Sequence, residues 1–236
     1  MKTILFDLDG TLLGMNQEEF IKLYFSSIAT FLKEKGFDAE ASLKAIQYGT
    51  YLMINNDGKE SNEEVFWKCY TKMTNLEYNQ MEPIFHSYYD SMFDVTKKSC
   101  KAYKSISDLV AYLKKQNIKM ILATNPLFPS EATRKRITWA GLNPDDFLFI
   151  TTYDNSFYCK PNLEYYKEIL NRFNLDYKDV IMIGNDTTED MCVRDLGIET
   201  FLVIDDLIDK NNIKDEFRRG TRLDIIDFIK EKEWYK

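Results

Sequence analysis

The sequence is poor in the residues that most often build zinc and redox sites. Its 236 residues include one histidine, His86, and four cysteines that form no CxxC pair: Cys69, Cys100, Cys159 and Cys192. Because the cysteines are widely spaced, we expect neither a zinc site nor a disulfide framework, but four reduced thiols in a reducing cytoplasm. We expect His86 to pack or to face solvent, which argues against chemistry centred on histidine.

Long apolar runs, a leader-like N-terminus and excess positive charge are also missing. No run approaches the roughly 20 apolar residues that a membrane-spanning helix needs. The N-terminus enters a strand without the basic and apolar segments of a signal peptide. With 31 Lys and Arg against 38 Asp and Glu, the net charge of −7 disfavours nucleic acid or an anionic membrane as partner. We expect a cytoplasmic protein that is a monomer or a weak homodimer.

Residues 4–13 carry the strongest local pattern in the chain. An apolar run typical of a buried strand ends in two acids, Asp7 and Asp9, and Gly10 and Thr11 then break the strand. Two carboxylates at the end of a buried strand cost free energy unless a cation or a proton offsets their charge. The stretch therefore suggests metal-assisted chemistry on an anion.

The next eighty residues contain helical patterns and no convincing strand. Apolar residues at helical spacing predict one helix from the N-cap Asn16 to Gly36 and a second over 39–54. A third begins at Ser61, and a fourth runs over 79–93 with Pro83 in its first turn. This segment predicts a four-helix module.

From residue 102 onward, helical and strand patterns alternate. Short apolar runs predict strands over 118–123, 147–151, 180–183 and 200–204, with helices between them, including one over 189–196, and a last helix over 223–232. This alternation is typical of a parallel sheet with crossover helices. The predicted fold is α/β, a Rossmann-like parallel sheet formed by 1–14 and 97–236, with the helical module of 15–96 inserted after the first strand.

Reactive polar side chains follow four of the five predicted strands of this sheet, or lie in the loops beside them. Thr124 and Asn125 end the second strand, Lys160 lies in the loop after the third, and Asp186 follows the fourth, with Asp190 four residues on. Because the carboxyl ends of parallel strands lie on one edge, we expect these groups to converge with the two acids of the first strand. Carboxylates can hold Mg²⁺, while a hydroxyl, an amide and a lysine can bind phosphate oxygens.

These segments together resemble the haloacid dehalogenase-like hydrolase superfamily. Its first motif, an apolar strand followed by DxDGT, is met in full at residues 7–11, and its second, a Thr or Ser after the next strand, by Thr124. Its third is a lysine, here Lys160, and its fourth an acidic pair, here Asp186 and Asp190. The helical module resembles the C1-type cap of that superfamily, so the likeness extends over nearly the whole chain.

The resemblance implies roles for the acids. Asp7 would be the nucleophile and Asp9 the general acid and base. Mg²⁺ would be held by Asp7, the backbone carbonyl of Asp9 and Asp186, with Asp190 helping directly or through water.

The resemblance also implies how the phosphoryl group is held. Thr124 and Lys160 would orient it, with Asn125 as a further donor. Members that cleave carbon–halogen bonds generally lack the second acid of the first motif, so Asp9 favours phosphate over halide.

The expected function is a Mg²⁺-dependent phosphatase that acts on a small phosphorylated metabolite through an aspartyl-phosphate. A phosphomutase of the same superfamily and a non-catalytic binding or regulatory module on this fold remain alternatives. The turn at 55–61 either faces solvent or places Lys59 over the site to read an anionic leaving group.

Overall fold

The computed structural model describes residues 2–232, in which six parallel strands form one sheet in the order β5-β4-β1-β6-β7-β8. Two further strands, β2 and β3, form a short antiparallel pair. The strands are β1 (Thr3–Phe6), β2 (Gly14–Met15), β3 (Cys100–Lys101), β4 (Lys119–Leu122), β5 (Phe149–Ile150), β6 (Val180–Gly184), β7 (Glu199–Val203) and β8 (Arg219–Gly220). The predicted Rossmann-like α/β core is confirmed, and β8, which has no apolar pattern, was not predicted.

Helices flank this sheet on both faces and fill the segment between β2 and β3. They are α1 (Gln17–Glu34), α2 (Ala39–Ile54), α3 (Asn62–Thr74), α4 (Tyr78–Ser91), α5 (Lys104–Lys115), α6 (Ser130–Trp139), α7 (Leu163–Arg172) and α8 (Ile225–Lys230). None of these helices, all within residues 2–232, has the length and apolar content to cross a membrane.

The position of β1 explains why the acids that follow it meet the other polar groups. The strand lies in the centre of the sheet, between β4 and β6, and all four of its residues are buried. Ile4 and Phe6 pack into the cluster on one face, and Leu5 packs into the cluster on the other. This alternation follows from the two-residue period of a strand. Residues after β1, β4 and β6 therefore leave the sheet side by side.

The helical segment begins and ends at the β2–β3 pair, which joins Met15 to Cys100. Its helices begin where their capping residues predict. The side chains of Asn16, Asp38 and Ser61 accept backbone N–H groups at the starts of α1, α2 and α3. The division of the chain into a core and a cap at residues 15 and 96 stays a prediction.

Two local predictions are wrong. Pro83 lies in the second turn of α4 rather than the first, because that helix begins at Tyr78. The segment predicted as a helix over 189–196 is a 3₁₀-helix, Met191–Leu196, which ends at Gly197 with a φ of 82°.

The turn between α2 and α3 docks onto the loop that follows β5. The N–H groups of Asn62 and Glu63 donate to the carbonyl oxygens of Ser156 and Tyr153, both at 2.9 Å. The Asn62 side chain is fully buried, and its amide nitrogen lies 3.3 Å from the sulfur of Cys159. The helical segment is thus held against the α/β core at a second place besides the β2–β3 pair.

A buried arginine near the C-terminus fixes the loop that leaves β1. Arg222 donates to the carbonyl oxygens of Thr11 at 2.7 Å and Gly10 at 2.6 Å, and to the carboxylate of Asp206 at 2.6 Å. Its guanidinium lies over the Tyr103 ring, 4.6 Å from the ring centroid. The side chain therefore satisfies two carbonyl groups in the loop that contains Asp9.

We expect Arg222→Met to lower the free energy of unfolding by about 3 kcal/mol, because it leaves buried carbonyl groups and one carboxylate without their donor. Urea denaturation measures the change. The matched control is Arg218→Met, which removes an exposed arginine paired with Glu231 and should change stability by less than about 0.5 kcal/mol. Equal stabilities of the two variants would contradict this role for Arg222.

Candidate active site

Asp7 lies at the centre of the carboxyl edge of the sheet. It directly follows β1, and its backbone N–H donates to the carbonyl oxygen of Ile183 at 2.9 Å. Its Oδ1 accepts a hydrogen bond from Lys160 Nζ at 2.8 Å, and Thr11 Oγ1 lies 3.4 Å from its Oδ2. The side chain is nearly buried but still lines the main cavity of the protein. The nucleophile expected from the sequence is therefore in reach of a bound ligand.

Lys160 donates hydrogen bonds to two of the acids, Asp7 and Asp190. Its Nζ donates to Asp190 Oδ1 at 2.6 Å, and the side chain is 1% exposed. Burial alone would lower the pKa of this ammonium, but the carboxylates of Asp190 and Asp7 hold the pKa well above its usual range. Lys160 does not border the cavity, whereas both of the acids that it contacts do. The positive charge of Lys160 offsets the negative charges of Asp7 and Asp190.

Asp190 uses both of its oxygens within the protein. Oδ1 accepts from Lys160, and Oδ2 accepts the backbone N–H groups of Asn185 at 2.9 Å and Asp186 at 3.0 Å. Gly184 permits this contact, because a Cβ on that residue would lie 2.2 Å from Asp190 Oδ2. Burial raises the pKa of the Asp190 carboxyl, and Lys160 opposes that rise. Asp190 thus holds the loop after β6 in place.

Asp186 borders the cavity and uses one of its carboxylate oxygens in its own turn. Its Oδ1 accepts the backbone N–H groups of Thr188 at 2.7 Å and Glu189 at 2.9 Å. Within residues 2–232, no group of three or more Asp, Glu, His or Cys side chains is arranged to hold a metal ion. A magnesium site at this edge would consist of Asp7, Asp186, backbone oxygen and water, and Mg²⁺ commonly binds to one or two carboxylates and keeps several waters. The donor set fits that ion.

Thr124 and Asn125 follow β4, on the other side of Asp7. Thr124 is nearly buried and borders the cavity. The amide of Asn125 ties two loops together, because its oxygen accepts the N–H of Lys160 at 3.2 Å and its nitrogen donates to Glu189 at 3.0 Å. The structure thus brings all seven predicted site residues to one edge of the sheet, six of them on the cavity wall.

Asp9 has a partner that the sequence reasoning missed. Its Oδ2 accepts a hydrogen bond from Arg136, a residue of α6 that is 2% exposed. Its Oδ1 is buried and has no hydrogen-bond partner within residues 2–232. Burial raises the pKa of Asp9 to about 6, Arg136 acts in the opposite direction, and Asp7 adds to the rise. One oxygen of this acid is therefore held by Arg136, while the other, buried beside the cavity, has no partner among residues 2–232.

A signal for Arg136 was present in the sequence. Ala132, Thr133, Arg136 and Ile137 share the buried face of α6. A charged residue on the core-facing stripe of an amphipathic helix is rarely buried unless it is paired. That position could have identified the arginine, although not its partner.

The cavity that holds these groups extends between the sheet edge and the helical segment. Its volume is about 340 Å³, and its wall combines Asp7 and Asp9 with aromatic side chains of α1, α3 and α4. Lys59 does not border it; that side chain is 82% exposed and pairs with Asp57. His86, on α4, borders the cavity and has an exposed side chain.

His86 connects the helical segment to the sheet side of the cavity. Its Nδ1 lies 3.1 Å from Glu131 at the start of α6, and its Nε2 lies 3.4 Å from Asp90 on its own helix. The hydrogen bond to Glu131 raises the pKa of His86, and the charge of Asp90 adds to it. The His86–Glu131 pair and the contacts of Asn62 both join the helical segment to the rest of the chain, but only the first pair consists of titratable side chains.

The haloacid dehalogenase-like hydrolase family model matches residues 4–203 of the chain. A HAD phosphatase from Thermococcus onnurineus is 17% identical with a TM-score of 0.60, over 97% of this chain and 98% of that chain. YfnB from Bacillus subtilis, solved bound to magnesium, is 17% identical with a TM-score of 0.55, over 97% of both chains. A 2-haloacid dehalogenase from Pseudomonas syringae pv. Tomato DC3000 is 14% identical with a TM-score of 0.63, over 98% and 99%. No curated protein matches.

We expect NMR titration of the single imidazole to give a pKa above 6.5. Glu131→Gln should lower the pKa of His86 more than Asp90→Asn does, because the hydrogen bond to Glu131 is the larger cause. Since the folded pKa is raised, the contact stabilises the fold fully below the unfolded pKa and is lost as pH rises through the folded pKa. Identical pKa values in Glu131→Gln and the unmutated protein would contradict the contact.

Proposed function

Because the chain belongs to the haloacid dehalogenase-like hydrolase family, we propose that it is a Mg²⁺-dependent phosphatase of a small phosphorylated metabolite. The observation that carries this proposal is the pair Asp7 and Asp9 on one cavity wall, with one oxygen of Asp9 unpartnered within residues 2–232. An alcohol leaving group needs a proton from such an acid, whereas a halide does not. The second acid therefore favours cleavage of a phosphate ester.

In the first step of the proposed reaction, a carboxylate oxygen of Asp7 attacks the phosphorus. The bond from phosphorus to the ester oxygen breaks as the aspartyl-phosphate forms, and the carboxyl group of Asp9 gives its proton to the departing oxygen. In the second step Asp9 takes a proton from water, and the resulting hydroxide attacks the phosphorus. Asp7 is released as a carboxylate, together with inorganic phosphate.

The neighbouring groups manage the charge of this reaction. When bound, Mg²⁺ supplies positive charge to the phosphoryl oxygens, and Asp7, the backbone carbonyl of Asp9 and Asp186 would hold it. Asp190 acts as a positioning residue, since both of its oxygens are bonded within the protein. Any link from Asp190 to the ion would then pass through water.

The phosphoryl group is held from the other side. Thr124 borders the cavity and would donate its hydroxyl to a phosphoryl oxygen, with Asn125 beside it. The ammonium of Lys160 offsets the negative charge of Asp7. The electrostatic repulsion between a dianionic ester and the carboxylates of the site would therefore be smaller. Tight closure by the helical segment would exclude water from these groups.

We expect Asp7→Asn to fold normally and to lose at least about a thousandfold in phosphomonoester hydrolysis, since an amide is a poor nucleophile. The assay is release of inorganic phosphate with and without Mg²⁺. Asp195→Asn, which changes an exposed acid, is the control and should retain full activity. An active Asp7→Asn enzyme would refute the nucleophile, and isomerised sugar phosphate in place of inorganic phosphate would indicate a mutase.

Arg136 would hold Asp9 in position for proton transfer. Because Arg136 lowers the pKa of Asp9, Arg136→Met should raise that pKa and move the alkaline limb of kcat/KM to higher pH. We also expect kcat to fall by roughly tenfold or more as Asp9 loses its fixed orientation. Arg136→Lys should restore part of kcat.

Arg134→Met is the control, because Arg134 is an exposed neighbour on the same helix. It should leave both kcat and the pH profile unchanged. A loss of kcat in Arg136→Met with an unshifted pH profile and no recovery in Arg136→Lys would indicate a purely structural role.

A further inference from the structure

We infer that the leaving group of the substrate carries a flat aromatic ring and no added negative charge. This inference rests on the proposed phosphatase function. It derives from the wall of the cavity beyond the catalytic acids, where the helical segment contributes rings and the charged groups are mostly acidic.

Aromatic rings form most of the far wall. Three of them are tyrosines, Tyr24, Tyr89 and Tyr153. The six phenylalanine and tryptophan rings come from α1, α3, α4 and the loop before α6: Phe20, Phe25, Phe66, Trp67, Phe85 and Phe128. They contact one another mainly edge to face; the ring centroids of Phe20 and Phe128 are 6.1 Å apart at 80°, and those of Trp67 and Phe85 are 5.3 Å apart at 72°. Such an arrangement accepts a further ring in the same geometry, which is the preferred packing of aromatic side chains.

The size of the cavity limits the ring. An apolar cavity of about 150 Å³ is enough to bind benzene. The cavity here has about 340 Å³ and is continuous with the catalytic edge. It therefore has room for a phosphoryl group and a small ring system, but not for a long chain or several sugar units.

The charges on the wall disfavour an anionic leaving group. Glu82 and Glu131 border the aromatic end, and His86 is already paired with Glu131. Lys210 also borders the cavity, but it follows Ile208, whose backbone bonds to Asn185 beside the catalytic acids. An added carboxylate or second phosphate near the rings would face these two acids, and residues 2–232 place no unpaired cation beside the rings.

The test compares kcat/KM for three synthetic esters of matched alcohols: benzyl phosphate, cyclohexylmethyl phosphate and 4-carboxybenzyl phosphate. We expect benzyl phosphate to exceed cyclohexylmethyl phosphate roughly tenfold, because only the flat ring makes edge-to-face contacts. We expect 4-carboxybenzyl phosphate to be hydrolysed less efficiently than benzyl phosphate. Equal values for benzyl and cyclohexylmethyl phosphate would overturn the ring preference, and equal values for the two benzyl esters would overturn the charge preference.

Two variants locate these preferences on the wall. Phe25→Leu should reduce the ratio of benzyl to cyclohexylmethyl turnover, whereas Phe37→Leu, which changes a partly buried ring away from the cavity, should not. Glu82→Gln should raise kcat/KM for 4-carboxybenzyl phosphate. Glu77→Gln should not, because Glu77, the residue before α4, does not border the cavity. The inference would be overturned if Phe25→Leu left the ratio of benzyl to cyclohexylmethyl turnover unchanged and Glu82→Gln left kcat/KM for 4-carboxybenzyl phosphate unchanged.

Binding separates failure of this inference from failure of the proposed function. Calorimetry with 2-phenylethylphosphonate and 2-cyclohexylethylphosphonate, which cannot be hydrolysed, measures ring preference without turnover. Tighter binding of the phenyl compound by a protein that hydrolyses none of the esters would overturn the phosphatase proposal and support the ring preference. Equal binding by a protein that does release phosphate would overturn the inference alone.

Discussion

The buried ammonium of Lys160 is the interaction on which the site depends. It lies between Asp7 at 2.8 Å and Asp190 at 2.6 Å and is 1% exposed. Two buried carboxylates this close would be costly without it, and the lysine would be equally costly without them. These hydrogen bonds can form only if the end of β1, the loop before α7 and the loop after β6 meet at one point. The topology of the sheet brings these three segments together, and the pairing of their charges stabilises that arrangement.

Two buried arginines also donate hydrogen bonds to oxygens of distant elements and join those elements to the site. Arg136 brings α6 to Asp9, and Arg222 brings the segment before α8 to the loop that leaves β1. Each guanidinium also lies over an aromatic ring, Phe128 at 4.7 Å and Tyr103 at 4.6 Å from the ring centroids. The planar fork of arginine suits such sites, because it can donate to several oxygens while its faces pack against apolar surface. Three buried cations therefore hold an acidic edge in place within an acidic protein.

The helical segment completes the cavity in a different way. It approaches the sheet through aromatic side chains, through the buried Asn62 and through the pair of His86 with Glu131. One hydrophobic cluster contains side chains from α1, α3 and α4 together with Ile4 and Phe6 of β1. Most of the acidic side chains thus come from the sheet side of the cavity, and most of the aromatic side chains come from the helical segment.

The sequence alone determined the order of the long helices and of five of the six strands of the sheet, and the identity of seven candidate site residues, because strand ends, caps and the DxDGT pattern are local signals. The family resemblance drawn from these motifs is confirmed. The tertiary structure decided which of those residues face the cavity and which, like Lys160, lie behind its wall. It also supplied Arg136 and Arg222, whose partners are 127 and 212 residues away. No local pattern carries such contacts, because the pairing of a buried charge depends on which distant elements the sheet brings together.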